Sequence, residues 1–112
     1  MTQELNEFGR AIVRVDGTAQ VSLQPDGVTR WHITRMVVKT DQGQSQTPIP
    51  RCTVYTNFVG DGQEIDGTYS GNYDSSDCGI WREPSAPIIA RWTGGVPGTV
   101  AVFSIYGERV MA

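Results

Sequence analysis

The amino-acid sequence predicts an all-β fold, an antiparallel β-sandwich or jelly roll of seven to eight strands. Apolar and polar residues alternate with period two in stretches of about five to ten residues, which is the pattern of half-buried strands. Clusters of Gly, Pro, Asp and Asn interrupt these stretches every eight to twelve residues or so, as turns do in sandwiches. No stretch shows the 3.6-residue period of a helix, so an α/β unit is excluded.

Length and composition favour one globular domain with a real core. The chain has 112 residues, of which 38% are hydrophobic and 19% are charged, a balance typical of folded proteins. We expect a single sandwich domain over residues 9–112. Residues 1–8 contain only Leu5 and Phe8 as large apolar residues after Met1, and we expect a flexible N-terminal arm there, either a docking segment or a frayed end.

The first two predicted strands cover residues 9–15 and 19–23. Asp16-Gly17 lies between them and is a hairpin-type turn signal, so we expect the two strands to pair with each other. The second strand ends at Pro25-Asp26-Gly27, where proline presets the first turn angle and glycine tolerates a positive φ.

The longest strand pattern covers residues 28–40. Trp31, Ile33 and Val37 share one parity, whereas Met36 and Val38 share the other, which predicts a β-bulge or a change of sheet midway. A polar connection at 42–48 leads to a fourth strand at 51–58.

A polar run, DGTYSGNYDSSD at residues 66–77, is too rich in turn residues for a helix and too polar for the core. We expect it to form a long surface loop, the kind of element with which β-scaffolds present function. Further strands are predicted after it, at 79–83, 87–93 and 99–110.

Charge and hydropathy exclude two classes of partner. Nine basic residues against twelve acidic ones give a net charge of −3. Because the basic residues are spread singly along the chain, no footprint for a phosphate backbone is visible, and we expect no nucleic-acid partner. No basic leader and no run of eighteen apolar residues occurs, so we expect neither secretion by a visible signal nor membrane insertion.

No constellation of an enzyme is recognisable, and we expect neither catalytic residues nor a cofactor. His32 is the only histidine and lies mid-strand, which favours a cross-strand or surface role over that of a general base. Cys52 and Cys78 could form a bridge, although one pair is no disulfide framework, and free thiols are the favoured interpretation. No nucleophile elbow, zinc motif or Walker loop is present.

Acidic residues in and around the polar run raise the question of a calcium site. Counted from Asn72, the run places Asp74 and Ser76 at EF-hand ligand positions, but Asp77 occupies the position that requires glycine. We reject an EF-hand and expect no metal, because Asp, Asn and Ser fix turns by bonding to nearby backbone. An irregular calcium site stays the alternative.

Aromatic residues near the polar run are the candidate ligand contacts. Trp31 and Trp92 are expected to fill the core, where large rings contribute most buried area. Exposed rings can stack on sugars, so the candidate site consists of residues in or next to the run: Tyr69, Tyr73, Asp74 and Trp81.

Three segments carry a family resemblance. RCTVY at 51–55, the polar run at 66–77 and ARWTGGVPGTVA at 90–101 resemble small virion proteins of tailed phages of actinobacteria, as found in mycobacteriophages. The resemblance covers roughly the last two thirds of the chain. It implies a non-enzymatic β-sandwich component of the particle, a minor tail, tail-tip or head-associated protein assembled in the host cytoplasm, and it offers no catalytic residue to carry over.

The implied partners are other virion proteins and further copies of the chain. By fold-level analogy we expect a trimer, and host attachment through a cell-wall glycan is a further expectation. The alternative function is a carbohydrate-binding module that uses the aromatic residues of the 66–81 segment. A small glycosidase is a distant third, because so short a sandwich leaves little room for a substrate cleft.

Overall fold

The computed structural model describes the backbone of residues 2–42, 49–70 and 73–111, with the side chains of all of these except 2 and 66–70. Within these ranges the chain forms eight β-strands and no helix, so the predicted all-β class is confirmed. The strands are β1 (Thr2–Ile12), β2 (Ala19–Leu23), β3 (Thr29–Thr40), β4 (Arg51–Thr56), β5 (Glu64–Ser70), β6 (Tyr73–Arg82), β7 (Ile88–Thr93) and β8 (Val100–Met111).

Two four-stranded antiparallel sheets form the fold. The first sheet has the order β1-β8-β3-β6 and the second has the order β2-β7-β4-β5. Strand pairs β1·β8, β2·β7, β3·β6 and β4·β5 are all antiparallel, so the chain is one long hairpin with its tip between β4 and β5. Wrapping this hairpin adds the ladders β3·β8 and β4·β7 and produces the two sheets of a jelly roll.

The core lies between the two sheets. Buried side chains from strands of both sheets form one cluster, because alternate residues of each strand point inwards. Trp31 and Trp92 both belong to it, at 5% and 2% exposure, so the predicted core positions of these rings are confirmed. Within the described ranges no helix occurs that is long and apolar enough to cross a membrane.

Strand boundaries predicted from alternation agree well for β2, β3, β4, β7 and β8, where each differs from the structure by a residue or two at either end. These strands can be recognised in the sequence because one face is buried in the core and the other is polar or exposed. The alternation of burial along β2, β4 and β8 shows this directly.

The predicted N-terminal arm at residues 1–8 is wrong. Residues 2–12 form β1, which pairs with β8 from Thr2↔Val110 to Ile12↔Val100. Leu5 is 1% exposed within the core. The segment did not read as a strand because polar residues occupy both faces of it: Glu7 shares the parity of the buried Leu5, whereas Phe8 is exposed on the opposite face.

The predicted pairing of the first two strands is also wrong. β1 pairs with β8 and β2 pairs with β7, so they belong to different sheets. Asp16-Gly17 does form a tight turn, in which the Gly17 N–H donates to the Arg14 carbonyl at 2.9 Å. The turn connects the two sheets across the end of the sandwich instead of closing a two-stranded ribbon.

The polar run at 66–77 is not the predicted long loop. Residues 64–70 form β5 and residues 73–82 form β6, in different sheets. In β6, the residues from Tyr73 to Arg82 alternate strictly between exposed and half-buried. Ser and Asp occupy strand positions here because β6 is an edge strand with one fully solvated face, where polar residues cost little.

The predicted irregularity in the third strand is a β-bulge. Ile33 pairs with Gly107 and Arg35 pairs with Tyr106, which leaves Thr34 as the extra residue. Against β6 the register also shifts between Ile33 and Arg35, but there the extra residue lies in β6, because Ile33 pairs with Ile80 and Arg35 pairs with Asp77. β3 therefore stays in one sheet, and the parity of its inward-facing residues changes from odd at Trp31 and Ile33 to even beyond the bulge.

Gly107 is required beside this bulge. A Cβ atom at Gly107 would overlap the carbonyl oxygen of His32 and would lie 3.0 Å from the carbonyl carbon of His32 and 3.1 Å from the Thr34 nitrogen. All three atoms are backbone, so no side-chain rotation relieves the clash. The close approach of β3 and β8 thus depends on a residue without a side chain.

We expect Gly107→Ala to lower the free energy of unfolding by about 3 kcal/mol, because the β3·β8 ladder must separate to admit the methyl group. Urea denaturation followed by tryptophan fluorescence measures the change. Gly79→Ala is the matched control, since a Cβ at Gly79 meets no atom within 4 Å. Equal stability of the Gly107→Ala protein and the parent would show that the ladder is looser than described.

Asp26 fixes the turn before β3. Its carboxylate accepts hydrogen bonds from the N–H groups of Val28 at 3.0 Å and Thr29 at 2.9 Å, and from the Thr29 hydroxyl at 3.0 Å. These bonds lower the pKa of Asp26 below its ordinary value, the bond from the Val28 N–H most strongly. Because the folded protein holds the proton less tightly than the unfolded chain, the carboxylate stabilises the fold above its ordinary pKa.

We therefore expect Asp26→Ala to be less stable than the parent at neutral pH, with the difference disappearing as the pH falls through the lowered pKa of Asp26. Thermal unfolding of both proteins over an acidic pH series measures this. Asp61→Ala, which removes another exposed carboxylate, is the control and should show no such convergence. A stability difference that is constant with pH would contradict the assigned role.

Candidate functional site

The outer face of the first sheet carries the candidate site. On β3, Arg35 and Lys39 point outwards beyond the bulge, with Val37 between them on the same face. On β8, the outward residues are Ser104 and Tyr106, in register with Val37 and Arg35. The two central strands of the sheet thus place cations, an aromatic ring and small side chains side by side.

A depression of about 370 Å³ occurs on this face, and we call it the tyrosine depression. It is lined by Arg35, Val37, Lys39, Tyr73, Ser104 and Tyr106. Tyr73 is contributed by the edge strand β6, where it lies opposite Lys39. The ring of Tyr73 is 58% exposed and that of Tyr106 is 37% exposed, so both are accessible to a ligand.

A second depression of about 430 Å³ adjoins the first and shares Lys39 with it. Its lining residues are Arg10, Lys39, Thr40, Asp41, Val100 and Val102. Arg10 and Lys39 both lie opposite Val102, on β1 and β3 respectively. The two depressions form one track along the sheet, with positively charged side chains at intervals.

The cations of the track are available to a ligand. In the described part of the chain, the ion pairs are Arg30 with Glu83 at 3.8 Å and Arg109 with Glu7 at 2.9 Å, and neither involves the track. Two carboxylates are close to these cations: Asp41 lines the second depression, and Asp77 lies beside the first. Asp77 is opposite Arg35 in the register, and Asp41 accepts the Val100 N–H at 2.7 Å.

The four predicted ligand contacts do not form one site. Tyr73 and Trp81 are exposed on the same face of β6, but eight residues of strand separate them by about 26 Å. Asp74 has the opposite parity and is half-buried. Tyr69 lies in β5, in the second sheet, and its side chain is outside the described residues.

Trp81 is already engaged by its neighbours. Its ring stacks on His32 at a centroid distance of 4.4 Å with an interplanar angle of 8°, and the two residues are a cross-strand pair of β3 and β6. The Arg30 guanidinium carbon lies 5.7 Å from the Trp81 ring centroid. The expected cross-strand role of His32 is confirmed, and one face of Trp81 is closed to a stacking ligand.

Cys52 does not have the surroundings of an activated nucleophile. Cys52 and Cys78 carry thiols and are not joined in a disulfide. Cys52 is buried, and burial raises the pKa of its thiol far above the ordinary value, which suppresses the reactive thiolate. The Cys78 sulfur lies 3.4 Å from the Ile33 carbonyl oxygen.

Among the residues that the structure describes, no group of three or more His, Cys, Asp or Glu side chains could hold a metal ion. The calcium alternative considered for the polar run involves Asn72, which lies outside these residues. No family model matches the chain, and no curated protein is significantly similar to it.

Arg35, Lys39 and Tyr106 are the site residues that sequence reasoning missed. Arg35, Val37 and Lys39 alternate in the sequence and so share one face of a strand, a signal that could have been found. Their proximity to Tyr106 and Tyr73 could not have been predicted from the sequence, because β3, β6 and β8 are brought together only by the wrapped topology.

The His32–Trp81 stack predicts a measurable coupling. We expect a double-mutant cycle of His32→Ala and Trp81→Ala to give an interaction free energy of about 1 kcal/mol, the usual strength of a stacked pair. Urea denaturation of the parent, both single variants and the double variant measures it. A cycle between Trp81→Ala and Phe58→Ala, at an unrelated exposed ring, should be additive, and additivity in the first cycle would contradict the stack.

Proposed function

We propose that this chain is a non-enzymatic structural protein of a tailed-phage particle, tail-associated or head-associated, that works through contacts with neighbouring subunits. The resemblance of residues 51–55, 66–77 and 90–101 to virion proteins of actinobacterial phages supports this. The jelly roll is a recurrent fold of viral capsid proteins. Because the same fold also serves unrelated functions, the surface has to carry the argument.

The observation that carries the proposal is the exposure of large apolar side chains at both ends of the sandwich. At one end, Val15 is 93% exposed, Ile12 67% and Ile49 61%. The connections at this end are tied together: the Gly95 N–H donates to the Gly17 carbonyl and the Gly98 N–H to the Val13 carbonyl, both at 2.9 Å. The apolar groups are thus held on a fixed surface.

The opposite end presents a second apolar set. Val28 and Phe58 are each 57% exposed and Met111 is 60% exposed. Here the Ser85 N–H donates to the Pro25 carbonyl at 3.3 Å, and the Arg82 guanidinium donates to the Asn57 side chain at 2.8 Å. These bonds join connections of both sheets.

The apolar surfaces at the two ends differ from each other. This favours contacts in which one end of a subunit binds the other end of its neighbour. Such contacts close into rings when the rotation permits, which suits the symmetric layers of a virion. Exposed apolar side chains that are grouped on one surface, as we infer for each end, are typical of contact sites. We expect a ring-forming homo-oligomer, with a trimer as the preferred state.

A carbohydrate-binding module is the second candidate function. The observation that favours it is the tyrosine depression, in which Tyr73 lies beside cations and a hydroxyl group. Trp81 does not line that depression. Attachment of a particle to a host surface would combine both functions in one protein.

We expect the purified chain to form a defined oligomer and Val15→Asp to dissociate it, because a buried carboxylate without a partner opposes association. Sedimentation equilibrium should show a dissociation constant raised at least about tenfold. Ser22→Asp, an exposed position on the second sheet, is the control for added charge. A parent protein that stays monomeric at every concentration, or equal dissociation by both variants, would contradict the subunit contacts.

Placement in a virion is tested separately. We expect mass spectrometry of gradient-purified particles to find the chain at a fixed ratio to the major capsid protein. Immunogold labelling of the same particles distinguishes tail from head. If the chain were recovered only in the soluble fraction of a lysate, this would contradict the virion assignment, whatever its oligomeric state.

A further inference from the structure

We propose that the tyrosine depression binds an acidic oligosaccharide, a sugar chain that carries carboxylate groups such as a uronic acid polymer. This inference rests on the second candidate function and specifies its ligand class. Of the four ligand contacts predicted from the sequence it keeps Tyr73, and it adds Arg35, Lys39 and Tyr106. It does not depend on the virion assignment, because a free protein and a particle component would bind the sugar through the same face.

A ligand on this face must be recognised by side chains. The depression lies over β3 and β8, and each of these strands is paired on both sides, β3 by β6 and β8, and β8 by β1 and β3. Their backbone N–H and carbonyl groups are therefore consumed by the sheet. A peptide cannot bind here by adding a strand, which is the common way that sheets capture extended peptides.

The ligand should be anionic. Arg35 and Lys39 line the depression, and no carboxylate among the described side chains does. No ion pair within the described ranges neutralises either cation. In a chain with a net charge of −3, two unneutralised cations in one concave site are a local reversal of sign, and carboxylate ligands pair with such groups through charge-assisted hydrogen bonds.

A sugar fits better than a protein surface. Lysine is depleted at the centres of protein interfaces, whereas Lys39 lies where the two depressions meet. Exposed tyrosine rings provide flat apolar faces for the C–H groups of a sugar ring, and their hydroxyls and that of Ser104 supply hydrogen bonds. The volume of about 370 Å³ lies within the usual range of small-ligand pockets, roughly 300–1,000 Å³.

The spacing of the rings indicates an oligomer. Tyr73 is opposite Lys39 and Tyr106 is opposite Arg35, on either side of β3. Two strand spacings across the sheet and four residues along it place the two tyrosine backbones about 16 Å apart. This span along the sheet suits a short sugar chain. The neighbouring depression continues the track towards Arg10.

A phosphate backbone fits less well. Nucleic-acid binding depends on neutralising many phosphates, whereas the track offers only Arg10, Arg35 and Lys39 among the described residues, includes Asp41 and is bordered by Asp77. Carboxylates spaced along a sugar chain need fewer cations.

Isothermal titration calorimetry with oligogalacturonate tests the proposal on the full chain. We expect binding that weakens with salt and is lost on methyl esterification of the same oligomer, which keeps the sugar and removes the charge. Oligoglutamate and oligothymidylate of similar charge should bind at least about tenfold more weakly, because they lack the sugar rings that stack on tyrosine.

Two variants localise the site. Lys39→Gln and Tyr106→Ser should each weaken oligogalacturonate binding about tenfold. Arg51→Gln, which removes an exposed cation from the other sheet, should leave affinity unchanged. Circular dichroism and thermal unfolding of each variant separate lost binding from lost folding.

The proposal is overturned by an absence of binding in the folded parent, by equal affinity for the acid and its methyl ester, or by a control variant as damaging as Lys39→Gln. Tighter binding of oligoglutamate or oligothymidylate would overturn it in favour of an acidic peptide or a single-stranded nucleic acid. Monomeric protein that binds oligogalacturonate would contradict the subunit contacts and leave this inference standing.

Discussion

Strand β8 pairs with β1 on one side and with β3 on the other, and the rest of the structure depends on these two ladders. They bring the first described strand against the last and place Ala101, Phe103 and Ile105, all fully buried, at the middle of the core. Their formation requires closure of a loop nearly as long as the chain. Folding should accordingly be slow for a domain of this size, as is usual where contacts are distant in sequence.

The position of β8 also decides what the outer face presents. Because side chains alternate across a strand, a shift of one residue in the register would exchange inward and outward residues. The bulge at Thr34 produces this exchange within β3 alone, because the inward and outward parities are swapped beyond it. It leaves His32 outward before the bulge and turns Arg35, Val37 and Lys39 outward after it, so that the cations join the face that carries Tyr106. Gly107 makes this geometry possible by admitting the His32 carbonyl.

The proposed contact surfaces and the proposed ligand surface occupy different parts of the molecule. Apolar side chains are exposed at the two ends, where connections between strands are tied together by backbone hydrogen bonds. Cations and tyrosine rings occupy the outer face of the first sheet. A subunit could therefore be held by its neighbours at both ends while this face stays open. The chemistry of each surface fits its role, since apolar groups gain most from burial against protein and isolated cations gain most from a charged ligand.

The sequence by itself determined the fold class, five of the strands, an irregularity midway along β3 and the burial of Trp31 and Trp92, because period-two alternation reports directly on which residues face a core. It also identified the turn residues at Asp16-Gly17 and Asp26. The structure decided that the irregularity is a bulge and not a change of sheet. Only the tertiary structure decided which strands pair, that residues 2–8, 64–70 and 73–78 form strands, and that Arg35, Lys39, Tyr73 and Tyr106 line one depression. The physical reason is that alternation is a local property. Pairing partners in a wrapped hairpin lie far apart in the chain, and edge strands with a solvated face carry too few apolar residues to reveal themselves.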